Sequence, residues 1–181
     1  PFDTSNKRVI VGRDVSSRYT RRNVNEYTKV ADYIRKLVTS RDGRYMVFFP
    51  SYSYMESVLE CFRWKSGVNV TECGGEDTFL PESCVNVLVQ GRFMKEADKE
   101  NFLSAFYKEL PEGASLAGFC VLGGIFSEGI DLKDESLIGA VIVGTGIPMV
   151  CRERNILRDY FDEFGKNGYS YAYVIPGMNK V

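Results

Sequence analysis

The 181-residue chain contains no histidine. That excludes Ser-His-Asp and Cys-His catalysis, histidine general bases and histidine-ligated metals together. Five cysteines are present, Cys61, Cys73, Cys84, Cys120 and Cys151. No two are three positions apart, so zinc-ribbon, redox C-x-x-C and compact iron–sulfur spacings are missing. An odd number of cysteines reads as reduced, mostly buried thiols. The apolar runs around Phe119–Leu122 and Ala140–Val143 fall far short of the ~20 residues that span a bilayer. The first ten residues are polar and charged, unlike a secretory leader, which points to the cytoplasm and to no membrane partner. No G-x-x-x-x-G-K-[ST] occurs, so a Walker-type phosphate loop is absent.

What remains is an ordinary globular composition, 44% hydrophobic and 26% charged, in a chain long enough to bury a core without disulfides or metals. The net charge of −1 is unevenly spread. Residues 1–44 carry eleven Lys/Arg against five Asp/Glu, and residues 45–181 carry twelve against nineteen. Such asymmetry hints at a polyanion near the N-terminal part, although on charge alone a solvated helix face is the favoured reading. The chain starts at Pro1 and stops at Val181, which suggests a piece of something longer.

Strand and helix signals alternate along the whole length. Arg8–Val11 is a short strand candidate. Tyr27, Val30, Ala31, Ile34, Leu37 and Val38 recur at helical spacing, and Asp42-Gly43 ends that helix. The continuous run Tyr45–Phe49 marks a strand covered on both faces. Met55, Val58, Leu59 and Phe62 form the next helical stripe. Val68–Cys73 and Val85–Val89 predict strands. Phe102, Ala105, Phe106 and Leu110 predict a helix ended by Pro111 and Gly113. Leu116–Leu122 and Leu137–Val143 predict two more buried strands. Ile156, Leu157, Tyr160, Phe161 and Phe164 predict a helix stopped by Gly165, and Tyr171–Ile175 a final strand. This order predicts a three-layer α/β domain with a mainly parallel sheet. Ligands of such sheets bind beyond the carboxyl ends of the strands, which directs attention to the loops after Phe49, Leu122, Val143 and Ile175.

The loop after Phe49 is Pro50-Ser51-Tyr52-Ser53-Tyr54-Met55-Glu56. Ser53 and Glu56 have capping-box spacing, so a helix is expected to begin at Ser53, with free amides suited to an anion such as a nucleic-acid phosphate. The plainer alternative is a cap beside two packing tyrosines. The loop after Leu122 is Gly123-Gly124-Ile125-Phe126-Ser127-Glu128-Gly129-Ile130-Asp131-Leu132. Its glycines permit close backbone approach to a ligand, and Glu128 and Asp131 can accept from ribose hydroxyls or orient a cation. A solvated acidic turn is the alternative. Gly144-Thr145-Gly146-Ile147-Pro148-Met149 imitates a dinucleotide fingerprint, but Met149 stands where the third glycine belongs.

Four stretches, in order, resemble the second motor lobe of the XPD/DinG-type superfamily-two DNA helicases. They are Phe48–Tyr52, Gly123–Leu132, Val141–Gly144 leading to Pro148, and Tyr171-Ala172-Tyr173 through Pro176–Val181. The G-G-x-F-S-E-G-I-D-L stretch is specific, and the others support it. The resemblance implies a RecA-like (P-loop NTPase-like) lobe over residues 1–181. In the family, ATP sits between two such lobes and single-stranded DNA crosses their tops. It implies that Ser51, Tyr52, Ser53 and Ser127 contact the DNA backbone, and that Glu128, Gly129 and Asp131 line the ATP cleft and couple it to DNA. Mg²⁺, and an iron–sulfur cluster where the family has one, belong to the first lobe. A further motif, Q-x-x-G-R-x-x-R, is expected just past Val181. With neither that motif nor the first lobe, this chain alone is expected to be inactive as an ATPase. The competing expectations are a small-molecule nucleotide-binding α/β domain built on Gly144–Met149 and Asp131, and a noncatalytic interaction module.

Overall fold

A computed structural model describes residues 7–64, 68–72, 85–127, 130, 132 and 136–179. Helix α1 (Val24–Val38) opens the fold, its first turn capped by Asn23, whose side chain accepts from the Glu26 amide. Strand β1 (Arg44–Phe49) comes next, then α2 (Tyr52–Arg63), β2 (Val68–Glu72), β3 (Val85–Val89), α3 (Glu96–Ser104), β4 (Ser115–Val121), β5 (Gly139–Ile142) and α4 (Arg152–Glu163). A π-helical turn, Ser170–Val174, runs into the short α5 (Ile175–Met178).

The five strands make one sheet in the order β2-β3-β4-β1-β5, and every pairing is parallel. Parallel neighbours require crossovers. The crossovers put α1 and α2 on one face, around Ile34, Val47, Phe49, Val58, Phe62 and Phe119. Helix α3 covers the other face, around Met46, Leu88, Phe102, Phe106, Leu116 and Cys120. The three-layer α/β expectation therefore holds. β4 lies between β3 and β1 and is buried at all seven positions. Its residue Gly118 lets α3 approach: a Cβ there would lie 2.8 Å from the Phe106 ring and 3.0 Å from Phe102. Both rings are fully buried and have no room to yield.

Several expectations are corrected. Arg8–Val11 forms no strand; Val9, Ile10 and Val11 are all more than two-thirds exposed, because no sheet edge takes them as a partner. The stretch Leu137–Val143 forms a strand only over Gly139–Ile142, and Ala140 and Ile142 are exposed. It is an edge strand, paired on one side. The segment Tyr171–Ile175 is helical rather than extended. Its alternating tyrosines imitate strand periodicity, but they pack onto α4. Tyr171 stacks on Phe161 at 4.6 Å, the Tyr173 hydroxyl donates to Asn155 Oδ1 at 2.9 Å, and Arg154 Nη1 donates to the Ala172 carbonyl at 2.7 Å. Helix α3 closes at Ser104, so Ala105 and Phe106 pack from the turn that succeeds it. Gly165 ends α4 as expected, with φ +67.

Among the described cysteines Cys120 is buried, Cys61 and Cys151 are half-buried, and all three are free thiols. Cys73 and Cys84 lie outside the described residues.

Overpacking at the α3–β4 contact gives a direct check of this core. Gly118→Ala is expected to lower unfolding free energy by about 1–3 kcal/mol, read from the urea denaturation midpoint at unchanged m-value.

Candidate nucleic-acid interface

Parallel pairing brings the carboxyl ends of all five strands to one edge, and the loops there hold the residues singled out by sequence. The first loop begins at β1. Pro50 leads to Ser51, whose extended backbone (φ −164°, ψ 160°) makes it the N-cap of α2. Ser51 Oγ accepts from the Tyr54 amide at 3.3 Å, and the Ser51 carbonyl accepts from Met55 N at 3.0 Å. The expected Ser53–Glu56 capping box is therefore not the cap. Ser53 sits exposed within the first turn. Glu56 instead accepts from Arg92, whose Nη2 donates to both carboxylate oxygens at 2.8 and 3.0 Å and whose Nε donates to Oε1 at 3.1 Å. Two candidates could cap this helix, and the turn out of β1 selects the one nearer the strand. The Tyr52 and Ser53 amides come before the first intrahelical bond, so they remain available to an anion.

Tyr52 is half-buried and tied down. Its hydroxyl accepts from Gln90 Nε2 at 2.8 Å and donates to the Gly91 carbonyl at 3.2 Å. The Arg92 guanidinium lies 4.9 Å from its ring centroid. Burial holds the Tyr52 phenol above its ordinary pKa, opposed by the Gln90 hydrogen bond.

Gln90, immediately after β3, is only 3% exposed. Its Oε1 accepts from Val121 N at 2.9 Å, where β4 ends and the glycine loop begins. There Gly123 takes φ +72. A Cβ on Gly124 would come within 2.9 Å of both Gln90 Nε2 and the Val121 carbonyl, so glycine is required for the close approach. Phe126 anchors the loop by stacking on Phe102 at 4.2 Å. Ser127 Oγ donates to the Val121 carbonyl at 3.1 Å. One chain of hydrogen bonds thus joins Tyr52, Gln90, Val121 and Ser127, and it connects the two loops that sequence had marked separately. Glu128, Gly129 and Asp131 lie outside the described residues. Ile130 and Leu132 pack against the α3-side core.

Sequence reasoning missed Gln90 and Arg92. The available signal was a polar residue directly following a buried, valine-rich strand, in Val85–Val89 then Gln90-Gly91-Arg92.

The loop after β5 lies at the same edge. Gly144 has φ +75, and any side chain there would collide with Ser17 Oγ. The basic stretch before α1 is thereby seated against this edge. Arg22 places its guanidinium 4.9 Å from the Tyr54 ring centroid. Glu26 fastens the same stretch: its carboxylate accepts from Ser16 N at 2.8 Å and lies 3.3 Å from Lys29 Nζ and 4.0 Å from Arg21 Nη2. The Ser16 amide bond, ahead of Lys29 in effect, holds the Glu26 carboxyl below the ordinary glutamate range. The G-x-G imitation proves unlike a dinucleotide loop, since Gly146 is followed by an exposed segment and α4 starts only at Arg152.

Among the described residues, no three His, Cys, Asp or Glu side chains converge to hold a metal ion. No helix is long and apolar enough to cross a membrane among the described residues.

A family model described as helicase C-terminal domain matches residues 34–181. The ATP-dependent DNA helicase CHL1 of Scheffersomyces stipitis is 36% identical over 118 residues, covering 65% of this chain and 12% of that protein. The ATP-dependent DNA helicase XPD of Sulfolobus acidocaldarius is 27% identical over 140 residues, covering 76% of this chain and 20% of that protein. A solved chain named "XPD_APO" superposes with a TM-score of 0.63 at 22% identity, over 92% of this chain and 30% of its own. That last likeness is one of fold, in agreement with the RecA-like class expected from sequence. The chain spans roughly a tenth to a quarter of the length of the curated relatives it matches.

Two measurements test the geometry of this edge. Gln90→Leu leaves the Val121 amide buried without an acceptor, and should cost about 1–3 kcal/mol of stability with faster amide exchange at Val121. Glu26 has a lowered folded-state pKa, so its contribution is present above the ordinary glutamate range and is lost as pH falls through the lowered value. Glu26→Gln should therefore flatten the acid side of the Tm-against-pH curve and leave the alkaline side unchanged.

Proposed function

The chain belongs to the helicase C-terminal domain family, and on that premise we propose that residues 1–181 form one lobe, the second motor lobe of an ATP-dependent DNA helicase. The observation that carries this reading is the join at the carboxyl edge, where Tyr52, Gln90, Val121 and Ser127 link the Phe48–Tyr52 loop to the Gly123–Leu132 loop. Both loops lie within the segment matched to the family.

In this reading a backbone phosphate of single-stranded DNA sits at the start of α2. The Tyr52 and Ser53 amides and the exposed Ser53 hydroxyl donate to it, aided by the helix dipole. Ser51 holds those donors in place by capping the helix, and Tyr52 holds them by its bonds to Gln90 and Gly91. Ser127 lies at the base of the second loop. Glu128, Gly129 and Asp131, further along the sequence, serve the ATP cleft shared with a first RecA-like lobe that supplies the Walker loop and Mg²⁺. Nucleotide binding would draw the lobes together. The phosphate grip moves with the end of β4 because Gln90 bonds to both Tyr52 and Val121, and closure becomes displacement along the strand. A cytoplasmic setting belongs to the same proposal. The second reading, a free-standing nucleotide-binding domain using Gly144–Met149, has no observation in its favour.

The test uses the chain itself. Labelled oligo-dT should bind weakly, with log K falling linearly with log salt at about −0.7 per phosphate neutralised. ATP turnover should equal the blank. Salt-independent binding, or ATPase that copurifies with the chain, would defeat the proposal.

A further inference from the structure

The segment before α1 precedes residue 34, where the family match begins. Residues Tyr19–Arg21 form a single 3-10 turn, and Tyr19 is 82% exposed. An aromatic ring so placed contributes almost nothing to the core, yet a guanidinium packs against it. The Arg22 guanidinium lies 5.4 Å from the Tyr19 centroid and 4.9 Å from that of Tyr54. Arg22 is itself fixed by donating Nε to the Ser17 carbonyl at 3.3 Å. Tyr54 is fully buried in the first turn of α2 and meets the Tyr27 ring edge-on at 5.1 Å. A series of tyrosine, guanidinium and tyrosine therefore runs from the core to an exposed ring, beginning on the helix turn proposed to grip a phosphate. Arg18 and Arg21 lie on either side of Tyr19 in the chain and are both exposed. Arg21 lies 4.0 Å from Glu26, the limit of an ion pair, and Glu26 is shared with Lys29. Ser17 seats the turn against Gly144, at the carboxyl edge of the sheet.

An exposed aromatic with cations close by in the chain is the combination that binds single strands irrespective of sequence: every base has a π face to stack, and the cations take the phosphates beside it. From this geometry we propose that Tyr19 is a base-stacking platform for single-stranded DNA, with Arg18 and Arg21 contacting the adjoining phosphates. The inference rests on the motor-lobe reading. It extends the path of the strand from the start of α2 to the turn before α1.

The experiment measures anisotropy of labelled oligo-dT of about 15 nucleotides against the 181-residue chain and its variants. Tyr19→Ala should weaken binding roughly tenfold, and Tyr19→Leu, which keeps bulk but has no π face, should do the same. Tyr19→Phe should bind like the parent. Replacing the bases by abasic spacers should weaken the parent and leave Tyr19→Ala unaffected. The double variant Arg18→Ala/Arg21→Ala should make the salt slope shallower by roughly 1.4. If the parent binds with a steep salt dependence and both Tyr19→Ala and Tyr19→Leu bind equally well, the platform is wrong and the motor-lobe reading stands. If the parent does not bind at low salt, both fail.

Discussion

Parallel pairing of β1 with β4 is the constraint on which the rest of the molecule depends. Two parallel neighbours cannot be joined by a tight turn, so each connection crosses back over a sheet face. All strands then end at the same edge, and the loop leaving each strand becomes a neighbour of the loops leaving the others. The loop after β1, the Gln90-Gly91-Arg92 segment after β3 and the glycine loop after β4 are far apart in sequence. They meet because β3, β4 and β1 are adjacent in the sheet. The fully buried β4 stiffens this edge, and the close approach at Gly118 locks α3 to its back.

Gln90 converts that proximity into a mechanical join. A buried amide that both accepts from Val121 and donates to Tyr52 is satisfied only while both loops hold their places. An apolar residue would fill the same space but would leave a backbone amide without a partner. The join also reassigns two side chains. Ser51 works as a helix cap, its hydroxyl oxygen accepting from the Tyr54 amide. Tyr52 spends its hydroxyl inside the protein, which leaves the amides and the Ser53 hydroxyl as outward donors. The outward donors at this edge are therefore mainly backbone groups.

The N-terminal basic stretch adds a second layer at the same edge. Its charge alone was compatible with an ordinary solvated face. Its attachment is specific: Ser17 lies against Gly144, Glu26 holds the Ser16 amide, and Arg22 lies beside Tyr54. Helix α4 contrasts with this. It buries none of its residues and packs against the π-helical turn through Phe161, Arg154 and Asn155. The molecule therefore has a sheet-centred body and a helical C-terminal unit that shares little of its core.

The alternation of apolar strands with amphipathic helices was sufficient to determine an α/β sandwich with parallel strands. Burial periodicity is a local property, and the β1, β3 and β4 segments are mostly apolar because both their faces are covered. The motif loops were legible for a similar reason, since glycines and acids directly after buried strands stand out without knowledge of their partners. Tertiary structure decided the rest. Tyr171–Ile175 became helix because its tyrosines found α4, and Arg8–Val11 stayed extended coil because no strand edge received it. Ser51 displaced Ser53 as the cap because the turn out of β1 reaches it first. The Gln90 bridge joins residues some thirty to forty positions apart, and no pattern along the chain encodes which strands will be neighbours. That adjacency emerges only when the whole sheet assembles.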